Sequence, residues 1–398
     1  MKRLTSLLRR AAVPLLAVLT ALLLGGVVII LTDFDDLQRI GTDPLGALGG
    51  AVQGVIAAYG AMLAGAFGDP GRIVTALQTG NPTDIARAVR PLTETLVSAT
   101  PLIFTGLAIS ISFRAGMFNI GGDGQLLMGA LAATTTAILL NGSAPAALIL
   151  VATIAAATLA GAAWGFVPGF LKARTGAHEV ITTIMLNYIA ALFLTWLILQ
   201  DGVQDPNRTD AISKAVPGSA QLPSFGGSLR VNLGIVLAVL VTAGVAWLLN
   251  RSAFGFELRA VGANPAAART AGISVGRTYT LLMAVAGGLA GLGGATQVLG
   301  TAYALTPAVA GNIGFDGLLV ALLGRNRPWG TLLAAILFGA LRAGGNRMQS
   351  FSGISLELVT VLQALIVIFI AAPALVKAPF HLRAAPSARW GASMAKGW

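Results

Sequence analysis

Apolar runs close to the length of a bilayer crossing recur along the chain, at 12–31, 95–113, 124–140, 145–171, 181–200, 231–249, 278–299, 331–346 and 355–376. A helix needs about 20 apolar residues to cross a hydrocarbon core of about 30 Å. Lipid offers the backbone no hydrogen bonds, so such runs must form helices, which satisfy their own amides and carbonyls. A shorter run, Phe315 to Gly324, reads as a half-helix or a tilted short span. The expected fold is an all-α polytopic membrane protein, a bundle of about 8–10 transmembrane helices with a discontinuous or re-entrant segment.

Composition closes the soluble alternative. Only 10% of the 398 residues are charged and 56% are hydrophobic, whereas soluble domains carry about a quarter charged residues. The 50 glycines fit the same reading, because small residues let membrane helices approach closely. The absence of cysteine excludes disulfide and thiolate chemistry. A net charge of +11 would raise nucleic acid as a partner in a soluble chain. Here the basic residues sit in short loops and at the ends, and none alternate with aromatics as a strand-tracking groove requires. Their role is to set orientation, and no nucleic-acid partner is expected.

The N-terminus carries Lys2, Arg3, Arg9 and Arg10 before an apolar run too long for a signal peptide, which reads as an uncleaved first span. The loop 250–277 carries Arg251, Arg259, Arg269 and Arg277 against Glu257, and the tail carries Lys377, Arg383, Arg389 and Lys396. The loop 201–230 is neutral overall, with Asp201, Asp205 and Asp210 balancing Arg208, Lys214 and Arg230. The positive-inside rule then places both termini, 172–180, 250–277 and 325–330 in the cytoplasm and 201–230 outside. The stretch 45–67 is apolar, but a span there would reverse every later loop. With Asp33, Asp35 and Asp36 before it and Asp69 after, it reads as outside or in the interface. The expected organisation is 1–31 as N-terminus and first span, 32–94 extracytoplasmic or interfacial, 95–376 the transmembrane domain, and 377–398 a cytoplasmic basic tail.

Several polar interruptions stand out against this background. FRAGMFNIGGDGQ (Phe113 to Gln125) sets Arg114, Asn119, Asp123 and Gln125 among glycines that break a helix and expose backbone groups. It reads either as a loop between spans or as a discontinuous segment beside a substrate path. His178 and Glu179 open as a zinc-protease HExxH would, but Thr182 holds the last position, so no metal site is expected. Glu179 suits the start of a helix. Asn187, two turns in, suits helix–helix bonding ahead of ligand contact. Gly287 to Gly294 (GGLAGLGG) lacks the strand and acid of a dinucleotide site, so it reads as close helix packing. Gln297, Tyr303, Asn312 and Asp316 surround the broken segment near 315–324, and Arg342 reads as snorkelling to an interface. The chain has no GxxxxGK[ST] phosphate loop, and no nucleophile set or paired carboxylates can be assembled. Any ATP-driven process would need a separate subunit.

Four long motifs carry a resemblance: FRAGMFNIGGDGQLLMGA, HEVITTIMLNYIA, GFELRAVGANPAAARTAGI and GFDGLLVALLGRNRPWG, followed by LQALIVIF. Over about 95–370 the sequence resembles permease subunits of bacterial ABC importers in the branched-chain amino acid and simple-sugar superfamily, nucleoside-type branch. The resemblance implies a non-catalytic, multi-pass permease in the bacterial inner membrane. Its implied partners are ABC ATPase subunits, a second permease (identical or not), an extracytoplasmic substrate-binding protein and membrane lipid. The chain itself would hold no cofactor, with ATP and Mg in the ATPase. The loop carrying Gly255, Arg259, Gly262, Asn264, Pro265, Ala267, Ala268, Arg269 and Gly272 takes the part of the ATPase-coupling helix. Ala266 stands where the family pattern has Glu. Physically, Asn264 and Pro265 suit a helix start and Gly272 a helix end. The expected function is alternating-access import of nucleosides, with Asn119, Gln125, Asn187 and Asn312 lining the path. Ribose-like sugars or branched-chain amino acids are the substrate alternatives. An ion-coupled carrier is the alternative in kind, disfavoured because acids cluster at span ends.

Overall fold

The computed structural model describes residues 2–32, 43–226 and 229–372, with the backbone alone for 2–15 and 371. Asp33, Asp35, Asp36 and the expected basic tail 377–398 lie outside the described residues. The described chain is helical. Its elements are α1 (Lys2–Thr32), α2 (Pro44–Phe67), α3 (Pro70–Thr79), α4 (Pro82–Arg114), α5 (Gly122–Leu139), α6 (Ala146–Thr175) and α7 (Glu179–Ile198). After a neutral loop come α8 (Gly234–Arg251), α9 (Ala253–Ala263), α10 (Pro265–Thr270), α11 (Val275–Gln297), α12 (Ile313–Leu323), α13 (Pro328–Ser352) and α14 (Leu356–Ala371). Among the described residues the β structure is confined to two isolated bridges, Gln204–Ser213 and Ser224–Asn232.

The described residues contain 6 helical stretches long and apolar enough to cross a membrane: Pro44–Thr79, Pro82–Arg114, Ala146–Thr175, Glu179–Ile198, Gly234–Arg251 and Val275–Ala302. Shorter apolar helices lie at Leu16–Leu31, Ile313–Leu323 and Leu356–Ile370. Helices α5 and α13 are of crossing length but more polar, because they carry Asp123 and Gln125, and Arg342 and Asn346. The segment 45–67, read from charge as outside or interfacial, is one 24-residue helix. Asp69 ends the link to α3 by accepting from the amides of Gly71 at 2.9 Å and Arg72 at 3.3 Å, with Pro70 in the first turn. Gly80, at φ 65°, closes α3, and Asn81 with Pro82 opens α4.

The chain divides into two compact units, 1–57 with 354–398, and 58–353. In the first, α1 packs against α14, burying Ala17, Ala21 and Ile29 on one and Leu362 and Ile366 on the other. In the second, α4 and α11 form the centre. From Ala99 to Ser112 every residue of α4 is buried, as expected for a helix that is apolar all round. Glycines set how closely its neighbours approach. A Cβ at Gly287 would collide with the Gly161 carbonyl, one at Gly291 with the Ala157 carbonyl, and one at Gly165 with the Met283 carbonyl. This seam joins α6 to α11, as the GGLAGLGG run suggested, and Gly129 brings α5 against Gly291. On the other side of α4, Gly339 of α13 meets the Thr95 carbonyl. The end of α2 joins the same unit, where Thr95 Oγ1 donates to the Ala66 carbonyl at 2.7 Å.

Loops sort to two ends of this larger unit. At one, Arg114 Nε donates to the Asn326 carbonyl at 2.8 Å, Gly262 packs on the Arg114 carbonyl, and Glu179 accepts from the Phe118 amide at 3.4 Å. At the other, loop 201–230 packs on the chain after α11. The Val216 amide donates to the Tyr303 carbonyl at 2.8 Å, the Leu222 amide donates to the Leu299 carbonyl at 2.9 Å, and Arg230 pairs with Glu94 at 3.1 Å.

Candidate functional site

Helix α4 ends at Arg114, where Gly116 at φ 74° reverses the chain. Residues 117–121 then run back into the protein without regular structure, and α5 starts at Gly122, packed on Ile109 and Gly314. At membrane depth every polar group of such a segment must be met by protein. Asn119 and Gln125 join their amides reciprocally, at 3.1 and 3.2 Å, and Asn119 Oδ1 also accepts from the Gly121 amide at 3.0 Å. Asn187, from α7, clamps both sides of the break. Its Oδ1 accepts from the Gly124 amide at 2.9 Å and its Nδ2 donates to the Ile120 carbonyl at 2.9 Å.

A second interruption mirrors the first. Helix α11 ends in a π-helical turn, Val298–Ala302, closed by Tyr303 in the left-handed region at φ 55°. The chain returns irregularly to Ile313, where α12 begins. Its 11 residues span about 16 Å, half a hydrocarbon core. The expected short run is thus a half-helix, and its start meets the start of α5. Asp123 Oδ1 accepts from the Gly314 amide at 2.8 Å, and Thr105 Oγ1 donates to the Ile313 carbonyl at 3.3 Å. A Cβ at Gly314 would strike Asp123, so the contact requires glycine. Two helix N-termini, each the positive end of a dipole, therefore converge with Asp123 and Asp316 in their first turns.

Arg342 completes the cluster. Its Nη2 lies 2.9 Å from Asp316 Oδ2, so it is an internal ion pair and not the interfacial snorkel its sequence position suggested. The side chain of Asp316 is 9% exposed and that of Arg342 32%, so the carboxylate is buried and the arginine side chain is partly open. At 100° per residue, Arg342, Asn346 and Gln349 share an arc of about 60° on α13. Asn346 and Gln349 are exposed, as is Asn312 one turn before Asp316.

Of the residues expected to line a path, Asn119 and Gln125 are buried and bonded to each other, and Asn187 is bonded to backbone. Asn312 is exposed beside the Asp316–Arg342 pair. Arg342 and Asn346 went unselected from sequence. Their i, i+4 spacing in the otherwise apolar run 331–346 was the available signal.

The basic loop takes the form its punctuation implied. Ser252 caps α9, its Oγ accepting from the Gly255 amide at 2.9 Å. Asn264 Oδ1 accepts from the amides of Ala266 and Ala267 at 2.9 and 3.1 Å, with Pro265 in the first turn of α10. Gly272, at φ 84°, turns the chain toward α11. Ala268 is buried with Val261 and Val275, while Ala266, Ala267 and Arg269 are exposed. Gly255 and Gly262 are close-contact positions, against Leu248 and Leu249 and against Arg114 and Ala115. Arg259 Nη1 is buried without a hydrogen-bond partner among the described residues. Glu179 is taken up by Lys172 at 2.5 Å, and His178 makes no side-chain cap bond. Among the described residues no group of three or more His, Asp or Glu could hold a metal ion.

Residues 92–371 match the family described as the permease component of the branched-chain amino acid transport system. The chain belongs to this family of permeases. Among curated relatives, the guanosine ABC transporter permease protein NupP of Bacillus subtilis is 41% identical over 283 residues, 70% of this chain and 80% of that protein. The nucleoside ABC transporter permease protein NupB of Lactococcus lactis is 39% identical over 71% of this chain and 80% of its own length. The glucose ABC transporter permease protein TsgB13 of Haloferax volcanii is 36% identical over 70% of this chain and 75% of its own length. The matched region of the permease contains α5, the half-helix α12, the Asn187 clamp, α9, α10 and Arg342.

Proposed function

We propose that this permease is the membrane subunit of an ATP-driven importer for nucleosides, and that the open face at Asn312, Arg342 and Asn346 lies on the substrate path. The likeness to NupP, at 41% identity over 80% of its length, carries the substrate class. The geometry supports the path. Discontinuous helices whose N-termini meet at the middle of a bundle are a recurrent way to present donors to a ligand inside a membrane. The side chains there offer amides and a guanidinium, which suit a neutral ligand rich in hydroxyl, carbonyl and ring-nitrogen acceptors. Asn119, Gln125 and Asn187 then serve the path by holding its wall.

On this reading the permease is not itself catalytic. ATP and Mg act in separate ATPase subunits, a second permease completes the pathway, and an extracytoplasmic protein delivers the ligand. The α9–α10 segment is the contact through which ATPase closure moves the spans, with Asn264 fixing the start of its short helix. The termini and this segment face the cytoplasm of a bacterial cell, the side on which positive charge accumulates.

The test is ATP hydrolysis by the reconstituted transporter, with and without its binding protein and guanosine. Stimulation by guanosine and not by glucose, weakened by Asn264→Ala or Arg259→Gln, is the expected result. Stimulation by glucose alone would move the substrate to the sugar class of the Haloferax relative. Failure of any ATPase subunit to associate would overturn the reading.

A further inference from the structure

The glycine seam between α6 and α11 leaves a groove at the basic end of the larger unit. Where Gly276 passes Ala173, a Cβ on the glycine would already stand 3.4 Å from the alanine Cβ, so the helices run close. The larger side chains on either side rise above this floor and enclose about 300 Å³. Phe166, Phe170 and Leu281 supply apolar walls, with Arg174 and Arg277 also lining the groove. The two phenylalanine rings stack with centroids 5.6 Å apart, and Arg174 Cζ stands 5.6 Å from the centroid of the Phe170 ring. Neither arginine has a carboxylate within 4.0 Å among the described residues, and the neighbouring Glu179 is held by Lys172.

We infer that this groove binds an anionic phospholipid, its phosphate between Arg174 and Arg277 and one acyl chain along Phe166, Phe170 and Leu281. The ligand must be both apolar and anionic, because the two halves of the site differ in that way. Phe166 precedes the end of α6 by nine residues, about 13 Å, so the aromatic wall extends toward the hydrocarbon while Arg174 stays near the helix end. That is the arrangement in which a cation meets a headgroup and its neighbours meet a chain. The arginines lie on α6 and α11, outside the proposed path and the α9–α10 segment itself.

The experiment uses the full chain in nanodiscs holding equal amounts of phosphatidylglycerol and phosphatidylcholine, with retained lipid read by native mass spectrometry. The wild type should retain phosphatidylglycerol selectively. A cation near a membrane surface is worth about a fivefold preference, so Arg174→Gln with Arg277→Gln should lower the retained ratio about thirtyfold. Phe170→Ala should reduce retention of both lipids together. Unchanged melting of the double variant in pure phosphatidylcholine would show that the fold is intact. Equal retention of both lipids by the wild type, or an unchanged ratio in the folded double variant, would overturn the inference. So would an unchanged ratio accompanied by lost ATPase-subunit binding, which would assign the arginines to an acidic protein surface.

Discussion

Asn187→Ala isolates the claim that the break before α5 is held from outside itself. Asn187 makes one bond to the Gly124 amide and one to the Ile120 carbonyl, each 2.9 Å long. Removing it leaves a donor and an acceptor of an irregular segment without partners, in a region where lipid supplies none. An orphaned buried polar group costs about 1–3 kcal/mol. Asn187 is half-buried, so some solvation moderates the loss, and the sum should fall at about 2–4 kcal/mol. Thr183→Val is the matched control. Thr183 is more deeply buried on the same helix, but its hydroxyl donates to the Glu179 carbonyl one turn back, at 2.7 Å. Its loss should cost about 1 kcal/mol or less. Equilibrium unfolding in mixed micelles measures both. An Asn187→Ala protein within about 0.5 kcal/mol of wild type, or no weaker than Thr183→Val, would refute the reasoning.

Three further outcomes follow. Gly287→Val should force α6 from α11 at a cost of about 1–3 kcal/mol, seen as lost monodisperse protein on size exclusion, because its Cβ has no room beside the Gly161 carbonyl. Gly244→Val, with open space around it, should be tolerated in the same assay. Asp316→Asn should destabilise by about 1–3 kcal/mol, less than a fully buried pair because Arg342 is partly exposed, and adding Arg342→Gln should recover part of that loss. Asn264→Ala should cost about 1 kcal/mol of α10 helix stability, read as faster amide exchange at Ala266 and Ala267 with the rest of the chain unchanged.

The membrane class, most helices and the caps of α10 were legible in the sequence because they rest on local signals. Apolar length marks a crossing, and Asn-Pro marks a helix start. The glycine seam was legible for a similar reason, since GGLAGLGG in an apolar run has few other uses. The roles of individual polar residues were not. Asn119 and Arg342 are both polar residues in apolar surroundings, and nothing local tells which one will meet a backbone break and which an open face. Asn119 is committed because Gln125, six residues on, returns to it across the turn. Arg342 is drawn inward because Asp316, from a half-helix distant in sequence, is its counter-ion. For the stretch 45–67, flanking charge argues for a place outside or in the interface, and the chain forms one helix there whose end hydrogen-bonds to α4.

The most direct test of the account is uptake of radiolabelled guanosine by proteoliposomes holding the permease with its ATPase subunits, in the presence of the binding protein. Uptake should require internal ATP, persist when ion gradients are collapsed, and fall at least tenfold in kcat/KM for Arg342→Gln while the variant remains folded. Guanosine uptake driven by an imposed proton or sodium gradient without ATP would contradict the account. An Arg342→Gln transporter as efficient as wild type would remove Arg342 from the path.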